Sequence, residues 1–460
     1  MEVFIEQFLY AFAFGLAGAV LFSAIGLISG TDETTTLAPL TLLVILLGAP
    51  PVGVFTFWMS AAIAKHMTHA IPTALLGIPG DTLATPLVSD ANAMRQLGAP
   101  HIALRKMISG AIISAFIAVP SAMLFASLLA PFGGTITKFA PWIFAFAAIL
   151  ITWFSPGKIA STMLLIPFVC LIIALQSFTA KFDVKLSVSY FLGIAIGPLI
   201  ADLFTVFSPQ GKKHMRRDRV NQLSIAPELK SWDGYFPSPF KVLDKQQIKW
   251  TGITSVISSA TFVFSPVAMT VALGEFVASR FKQIYQRLTT SLAVKNGVTE
   301  STYIAEALIP LVAFGLPLSP VAAGPAAPLF NAPPVYTVGG DGVEPFNLHN
   351  LLSQWEFLGY GMLSVLIAAI VAYPFAMNYA RRAALFVSKR ISHEAIIATF
   401  VGLIVVISLW EGGILGLLVI LTMGLVGGML SRHFGFNTGC QFMGYYMAIL
   451  TVPALLALVG

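Results

Sequence analysis

The sequence predicts an all-α polytopic membrane protein with two inverted-topology repeats, each carrying a Gly/Pro-broken helical hairpin, and roughly 11–12 membrane segments. Three observations lead there. The 460-residue chain is 57% hydrophobic and 10% charged, against about 25% charged in an average soluble domain. Many apolar stretches approach the roughly 20 residues that a membrane helix requires. Two similar Gly-x-Pro stretches fall one in each half of the chain. The composition excludes a soluble globular enzyme, a disordered chain and a nucleic-acid binder. The excess of Lys and Arg over Asp and Glu, 26 to 20, then reports orientation in the membrane rather than an anionic partner.

Candidate spans, in order, are 6–28, 38–64, 107–130, 139–155, 159–177, 187–207, 251–278, 352–376, 393–410, 412–430 and 440–459. The first follows an acidic start, Glu2 and Glu6, with no small-residue cleavage site after it, and is read as a retained span rather than a signal peptide. Its Ala11, Gly15 and Ala19, spaced by four, make a helix-packing face. The second contains Gly48-Ala49-Pro50-Pro51, which must kink or break it, because proline lacks an N–H and clashes with the preceding turn. Stretches 70–90 and 306–328 are apolar enough to be embedded but too rich in Gly and Pro to be ordinary spans. Non-helical backbone at membrane depth is tolerated only where protein buries it or it lines a cavity. Cys170 and Cys440 lie in apolar stretches and suggest neither a disulfide framework nor a zinc site.

A polar segment, 208–249, divides the chain into a first transmembrane half, 1–207, and a second, 250–460. Its stretch 208–248 holds Lys212, Lys213, Arg216, Arg217, Arg219, Lys230, Lys241 and Lys245 against Asp218, Glu228, Asp233 and Asp244. The positive-inside rule makes it cytoplasmic, together with 95–106 and 381–390. Lys158 then lies inside, and Lys138, Lys181 and Lys185 outside.

The halves share an element. Gly77-Ile78-Pro79 and Gly315-Leu316-Pro317 each follow an apolar run and precede small, Thr- or Ser-containing sequence. Each also follows an earlier stretch of small and hydroxyl residues, 29–36 and 255–259. Arg95, Arg105 and Lys106 come after the first copy, whereas Asp341 and Glu344, without Lys or Arg, come after the second. Opposite charge at equivalent ends implies inversion. Interrupted hydrophobic segments at corresponding positions of two halves are the pointer expected of a transporter.

At these residues the chain resembles the large membrane subunit of tripartite tricarboxylate transporters (TctA-type), as a distant member. Ile78-Pro79-Gly80 is followed by Asp90, Met94 and Gly98 in that family's register, and Ala307-Leu308-Ile309-Pro310-Leu311 through Gly315-Leu316-Pro317 matches its second hairpin. The chain departs from the pattern at Ser29-Gly30 and Ser258-Ser259, where the family has Pro-Gly turns. It departs again at Thr299-Glu300-Ser301 and at Lys65-His66-Met67-Thr68-His69. The resemblance implies a small carboxylate substrate, with a small membrane subunit and an extracytoplasmic solute-binding protein as partners. The departures leave a standalone carrier open, and the oligomeric state, a homodimer included, is open as well.

Broken helices aim unpaired backbone N–H groups and positive dipole ends at an anion, while unwound carbonyls coordinate Na⁺. On that argument Gly77, Pro79, Gly80 and Thr82, with Gly315, Pro317 and Ser319, form two walls of one midplane site. Ser29, Gly30, Thr34, Ser258 and Ser259 add candidate substrate contacts, helix packing being the other reading of the two serines. Lys65 and His69 are candidate cations for a substrate carboxylate. A charge at the bilayer centre costs about 3 kcal/mol on insertion scales, so snorkelling of Lys65 to an interface is the slightly favoured alternative. Asp32 and Asp81 are candidate coupling-ion residues, Glu33 reads as part of a solvated turn, and Glu306, Asp202 and Glu411 cannot be ranked. A metal at His66 and His69 finds no accompanying ligand set.

A dianion entering a negative-inside cell is opposed by about 4.6 kcal/mol per 100 mV. Uptake therefore needs co-transported cations, Na⁺ or H⁺, and no Walker-type loop offers ATP instead. The expected function is ion-coupled secondary transport of a small di- or tricarboxylate across a cytoplasmic (inner) membrane, with no cofactor beyond the coupling ion. The competing readings are an intramembrane enzyme using His66, His69 and Asp81, and a passive anion channel.

Overall fold

The computed structural model describes residues 2–201 apart from 156, 185, 187, 198 and 199; residues 232–338 apart from 263; and residues 346–459 apart from 392. The basic run from Lys212 to Lys230, together with Lys185, Asp202, Asp341 and Glu344, lies outside the described residues. Among those described the chain is helical, with two isolated antiparallel bridges, Ala332 to Tyr336 and Thr337 to Phe346.

Helix α1 (Glu2–Ile25) buries its small-residue face: Ala11 and Ala19 are inaccessible, and a methyl group added at Gly15 would run into Ile367 and Ser60. The expected 38–64 span is two helices, α2 (Glu33–Leu46) and α3 (Pro51–Thr68), divided at Gly48-Ala49-Pro50. Pro51 sits in the first turn of α3, where its missing N–H costs nothing. A π-helical turn (Pro72–Leu76) and a 3₁₀ turn (Thr85–Leu87) lead to α4 (Val88–Gln96). Next come α5 (Pro100–Leu129), α6 (Gly133–Phe154), α7 (Ile159–Ala180) and α8 (Val188–Ala195).

After the basic segment, α9 (Lys245–Ala260) opens with a reciprocal cap between Asp244 and Gln247. The expected 251–278 span is not continuous. It stops at Ala260, and α10 (Pro266–Ala278) restarts behind Ser265, whose hydroxyl caps the amide of Ala268, and Pro266. Then comes α11 (Ile284–Phe314), 31 residues long, most of which lies outside the expected spans. Its sequence carries Arg287, Lys295, Asn296, Glu300 and Glu306, yet residues 288–314 are all buried. Hydropathy detects contact with lipid, and this helix is enclosed by protein instead. The last long helices are α12 (Gln354–Arg390), α13 (His393–Phe434, interrupted at Gly412 and Gly413) and α14 (Thr438–Tyr446). Among the described residues, six helices are long and apolar enough to cross a membrane, and shorter apolar helices such as Glu33–Leu46 and Pro266–Ala278 account for part of the difference from the larger expected number.

The packing is reciprocal. Helix α5 runs along α11 and α9, while α12 runs along α3 and α1. Ser109 and Tyr373 join α5 to α12 at 2.9 Å, and Ser114 and Ser255 join α5 to α9 at 2.6 Å. Segments assigned to one side of the membrane also meet. The Lys106 ammonium donates to the Val242 carbonyl (2.6 Å) and to Gln247 (2.7 Å), Arg105 lies over the Trp232 ring, and Asn378 donates to the Tyr235 carbonyl.

Candidate functional site

Both Gly-x-Pro stretches end a helical run with the same backbone device. Gly77 (φ 73°, ψ 23°) closes the π-helical turn and Gly315 (φ 64°, ψ 17°) closes α11, in the left-handed region that glycine enters without a steric penalty. An asparagine amide reaches each glycine carbonyl: Asn92 to Gly77 at 3.5 Å and Asn347 to Gly315 at 2.9 Å. Four residues beyond each glycine a short polar side chain accepts a backbone N–H three residues on. These pairs are Asp81 with Ala84 (3.0 Å) and Ser319 with Ala322 (3.1 Å).

The first break and the α1–α2 connection form one unit. Ser29 donates to the Pro79 carbonyl (2.5 Å), the Gly30 amide to the Gly80 carbonyl (2.8 Å), and Thr82 to Asp32 (2.8 Å). Asp32 also caps α2, accepting the Thr34 amide at 3.0 Å. Gly30, Pro79 and Thr82 are exposed; Gly315, Pro317 and Ser319 are buried. The second break faces elements of the first half: the Trp58 indole donates to the Pro325 carbonyl at 2.9 Å. The Thr85–Leu87 turn in its place packs against α10 and α11.

Between the breaks lies a buried network of charged and polar groups. The Lys65 ammonium donates to Glu33 Oε1 (2.5 Å) and Asp81 Oδ2 (2.9 Å), with no accessible surface on the lysine. Lys65 therefore does not snorkel; two acids hold it inside. Glu33, only 3% exposed, is no solvated turn either. His69 Nδ1 pairs with Asp81 at 2.8 Å, and its Nε2 faces Asn296 Oδ1 at 3.3 Å. His66 Nδ1 pairs with Glu300 at 3.0 Å, and its Nε2 stands 3.6 Å from Glu33. Tyr303 presents its ring edge-on to His66 and stacks on Trp58. Helix α3 and its C-cap supply the basic residues, and α11 supplies Glu300 and Asn296 to the two histidines, so the network ties the two halves together.

The expectation that no ligand set accompanies His66 and His69 changes in part. Ligand atoms of Glu33, His69 and Asp81 lie within 4.8 Å of one another. Lys65 donates to both carboxylates of that trio, so the chemistry is that of an ion-pair network. Among the described residues the rings of His66 and His69 bond Glu300, Asp81 and Asn296, and the Thr73 hydroxyl donates to the His69 carbonyl at 2.9 Å. A cavity of about 460 Å³ lies apart from the network, near the end of α11, lined by Gly133, Val312, Phe314, His349 and Phe357 among others. There His349 Nδ1 lies 3.1 Å from the Val312 carbonyl.

Ser258 and Ser259 are wholly buried in α9. Ser258 bonds Ser301 at 2.6 Å, and Ser259 donates to the Ser255 carbonyl at 2.8 Å. Ser258→Ala is expected to lower stability by only about 1 kcal/mol, because Ser301 keeps its bond to the Gly297 carbonyl. Thermal unfolding in detergent beside uptake checks this; lost uptake at unchanged stability would make Ser258 a substrate contact. Reading the sequence overlooked Trp58, Asn296, Tyr303 and the pairing of Glu300. The available signal was the polar content of α11, an unusual density of Lys, Asn and Glu inside a stretch flanked by apolar helices.

The chain matches the tripartite tricarboxylate transporter TctA family over residues 12–440. No curated protein and no solved structure matches it.

Proposed function

Since the chain belongs to the tripartite tricarboxylate transporter TctA family, we propose that it is the large membrane component of such a system and carries a small di- or tricarboxylate by Na⁺- or H⁺-coupled alternating access. One observation carries the reading: two helix breaks of the same geometry, at Gly77 and Gly315, flank a buried network that joins α3 to α11. The reciprocal packing of α5 on α11 and α12 on α3 supports two inverted repeats, 1–207 and 250–460, linked by 208–249. The exposed polar mouth at Gly30, Pro79 and Thr82 is the entrance, and Lys65 lies behind it. A substrate carboxylate that displaces Glu33 or Asp81 from Lys65 leaves the displaced acid to its histidine, His66 at 3.6 Å from Glu33 or His69 at 2.8 Å from Asp81, which must then carry the compensating proton. A small membrane subunit and an extracytoplasmic binding protein complete the assembly in the cytoplasmic membrane.

The test is uptake of a labelled carboxylate panel into proteoliposomes, with Na⁺ and pH gradients imposed separately. Accumulation against the solute gradient under one of the two is expected. Equilibration without accumulation under either would indicate a channel, and chemical turnover in detergent an enzyme; either result rejects the proposal.

A further inference from the structure

Glu306 stands apart from the other buried acids. Glu33, Asp81 and Glu300 each lie against a lysine or histidine, and half-buried Asp90 lies against Lys295. Glu306 is fully buried, and among the described residues no cation pairs with it. Its Oε2 accepts the Val321 amide at 3.1 Å, and its Oε1 has no hydrogen-bond partner among the described residues. Its own carbonyl accepts the Ser319 hydroxyl at 2.6 Å. Glu306 thus clasps the return limb of the second break at two points, Ser319 and Val321.

The titratable groups on the elements packed around it are engaged elsewhere or lie apart. Glu300, on α11, pairs with His66 of α3, and Lys295 is bound to Asp90 and Glu275. His349, in the short Leu348–Leu351 helix, bonds the Val312 carbonyl, and Tyr303 packs on His66 and Trp58. The short Pro320–Ala323 helix carries no titratable side chain. An ionised carboxylate enclosed with one amide donor and no cation is strongly disfavoured, whereas its neutral acid is tolerated.

We propose that Glu306 is a proton-binding site that couples closure of the second break to H⁺ movement; the coupling rests on the transport reading above. Opened to water, the carboxylate takes one proton from solution and forms an O–H bond at Oε1. The neutral acid can then be enclosed, with Oε2 still holding Val321. When the limb opens to the opposite side, the O–H bond breaks and the proton leaves to water, restoring the carboxylate. A carboxylate that stays ionised resists enclosure, so the limb closes with its proton aboard.

The experiment uses the full chain in proteoliposomes, comparing wild type with Glu306→Gln, which keeps an oxygen for Val321 but carries no charge. Glu306→Gln should lose pH-gradient-driven accumulation at least about tenfold while solute exchange without a gradient stays within about twofold. Infrared spectra supply a readout independent of transport: a protonated-acid carbonyl band present in wild type and absent in Glu306→Gln. Should Glu306→Gln misfold, Glu306→Asp should shift that band and keep the pH-gradient response. Wild type that exchanges carboxylate but accumulates it only under a Na⁺ gradient would overturn the coupling and leave the transport reading standing. A band present in wild type and lost in the variant, with no carboxylate exchanged by either, would uphold the proton site and reject the transport reading. Identical infrared spectra, or undiminished pH-driven accumulation in Glu306→Gln, overturn the proposal.

Discussion

Lys65→Met should abolish uptake and destabilise the protein by about 3–5 kcal/mol, the cost of removing one partner from a buried ion pair. The lysine has no accessible surface, and its ammonium is bonded to two carboxylates that are buried with it. Without it Asp81 keeps only His69, and the nearest remaining cationic candidate for Glu33 is His66 at 3.6 Å. A lysine snorkelling to an interface would forfeit only the ~1 kcal/mol or less typical of an exposed pair, so the magnitude separates the two roles. Thermal unfolding in detergent measures it. The double variant Lys65→Met with Glu33→Gln should recover part of the loss, because contacting residues are not additive and one stranded charge has gone. A single variant as stable as wild type would show that the network does not hold α2, α3 and the first break together.

The second large effect is expected at Gly80. A methyl group there would overlap the His69 carbonyl oxygen and come within 2.8 Å of His69 Cβ and 2.9 Å of its Cα. None of these atoms is the free end of a flexible side chain, so the break itself must move. Gly80 is also fastened on both sides: its amide donates to Thr73 (3.1 Å), and its carbonyl accepts the Gly30 amide. Displacing it shifts His69, Asp81 and the mouth at Pro79 together. A misplacement of about 1 Å at a site can cost a hundredfold in rate, and a loss of that order is expected for Gly80→Ala, with total loss when Pro79 and Gly80 are both replaced. Insertion should persist, because the apolar helices that direct it are untouched. Gly134, where an added methyl group meets nothing within 4 Å, is the matched control. Normal uptake by correctly inserted Gly80→Ala would remove the first break from the site.

Much of the fold was legible because its signals are local. The break between α2 and α3 follows from Gly48 and two prolines, and those at Gly77 and Gly315 from a left-handed residue closing a helical run. The packing role of Ala11, Gly15 and Ala19 follows from their spacing. The interruption of 251–278 was missed, although Ser265-Pro266 is an ordinary cap followed by a first-turn proline; the apolar run around it masked the signal. Most of α11 escaped altogether, since a hydropathy search rewards helices that face lipid and this one faces protein.

The amino-acid sequence alone thus determined the membrane class and the glycines, Gly77 and Gly315, at which two helical runs end, because hydropathy, proline and glycine act within a few residues of chain. Only the tertiary structure decided that Lys65 is held by Glu33 and Asp81, that His66 meets Glu300 from 234 positions away, and that no cation among the described residues pairs with Glu306. The reason is desolvation: whether a buried charge is stable depends on which groups surround it in space, and helix packing brings those groups from distant parts of the chain.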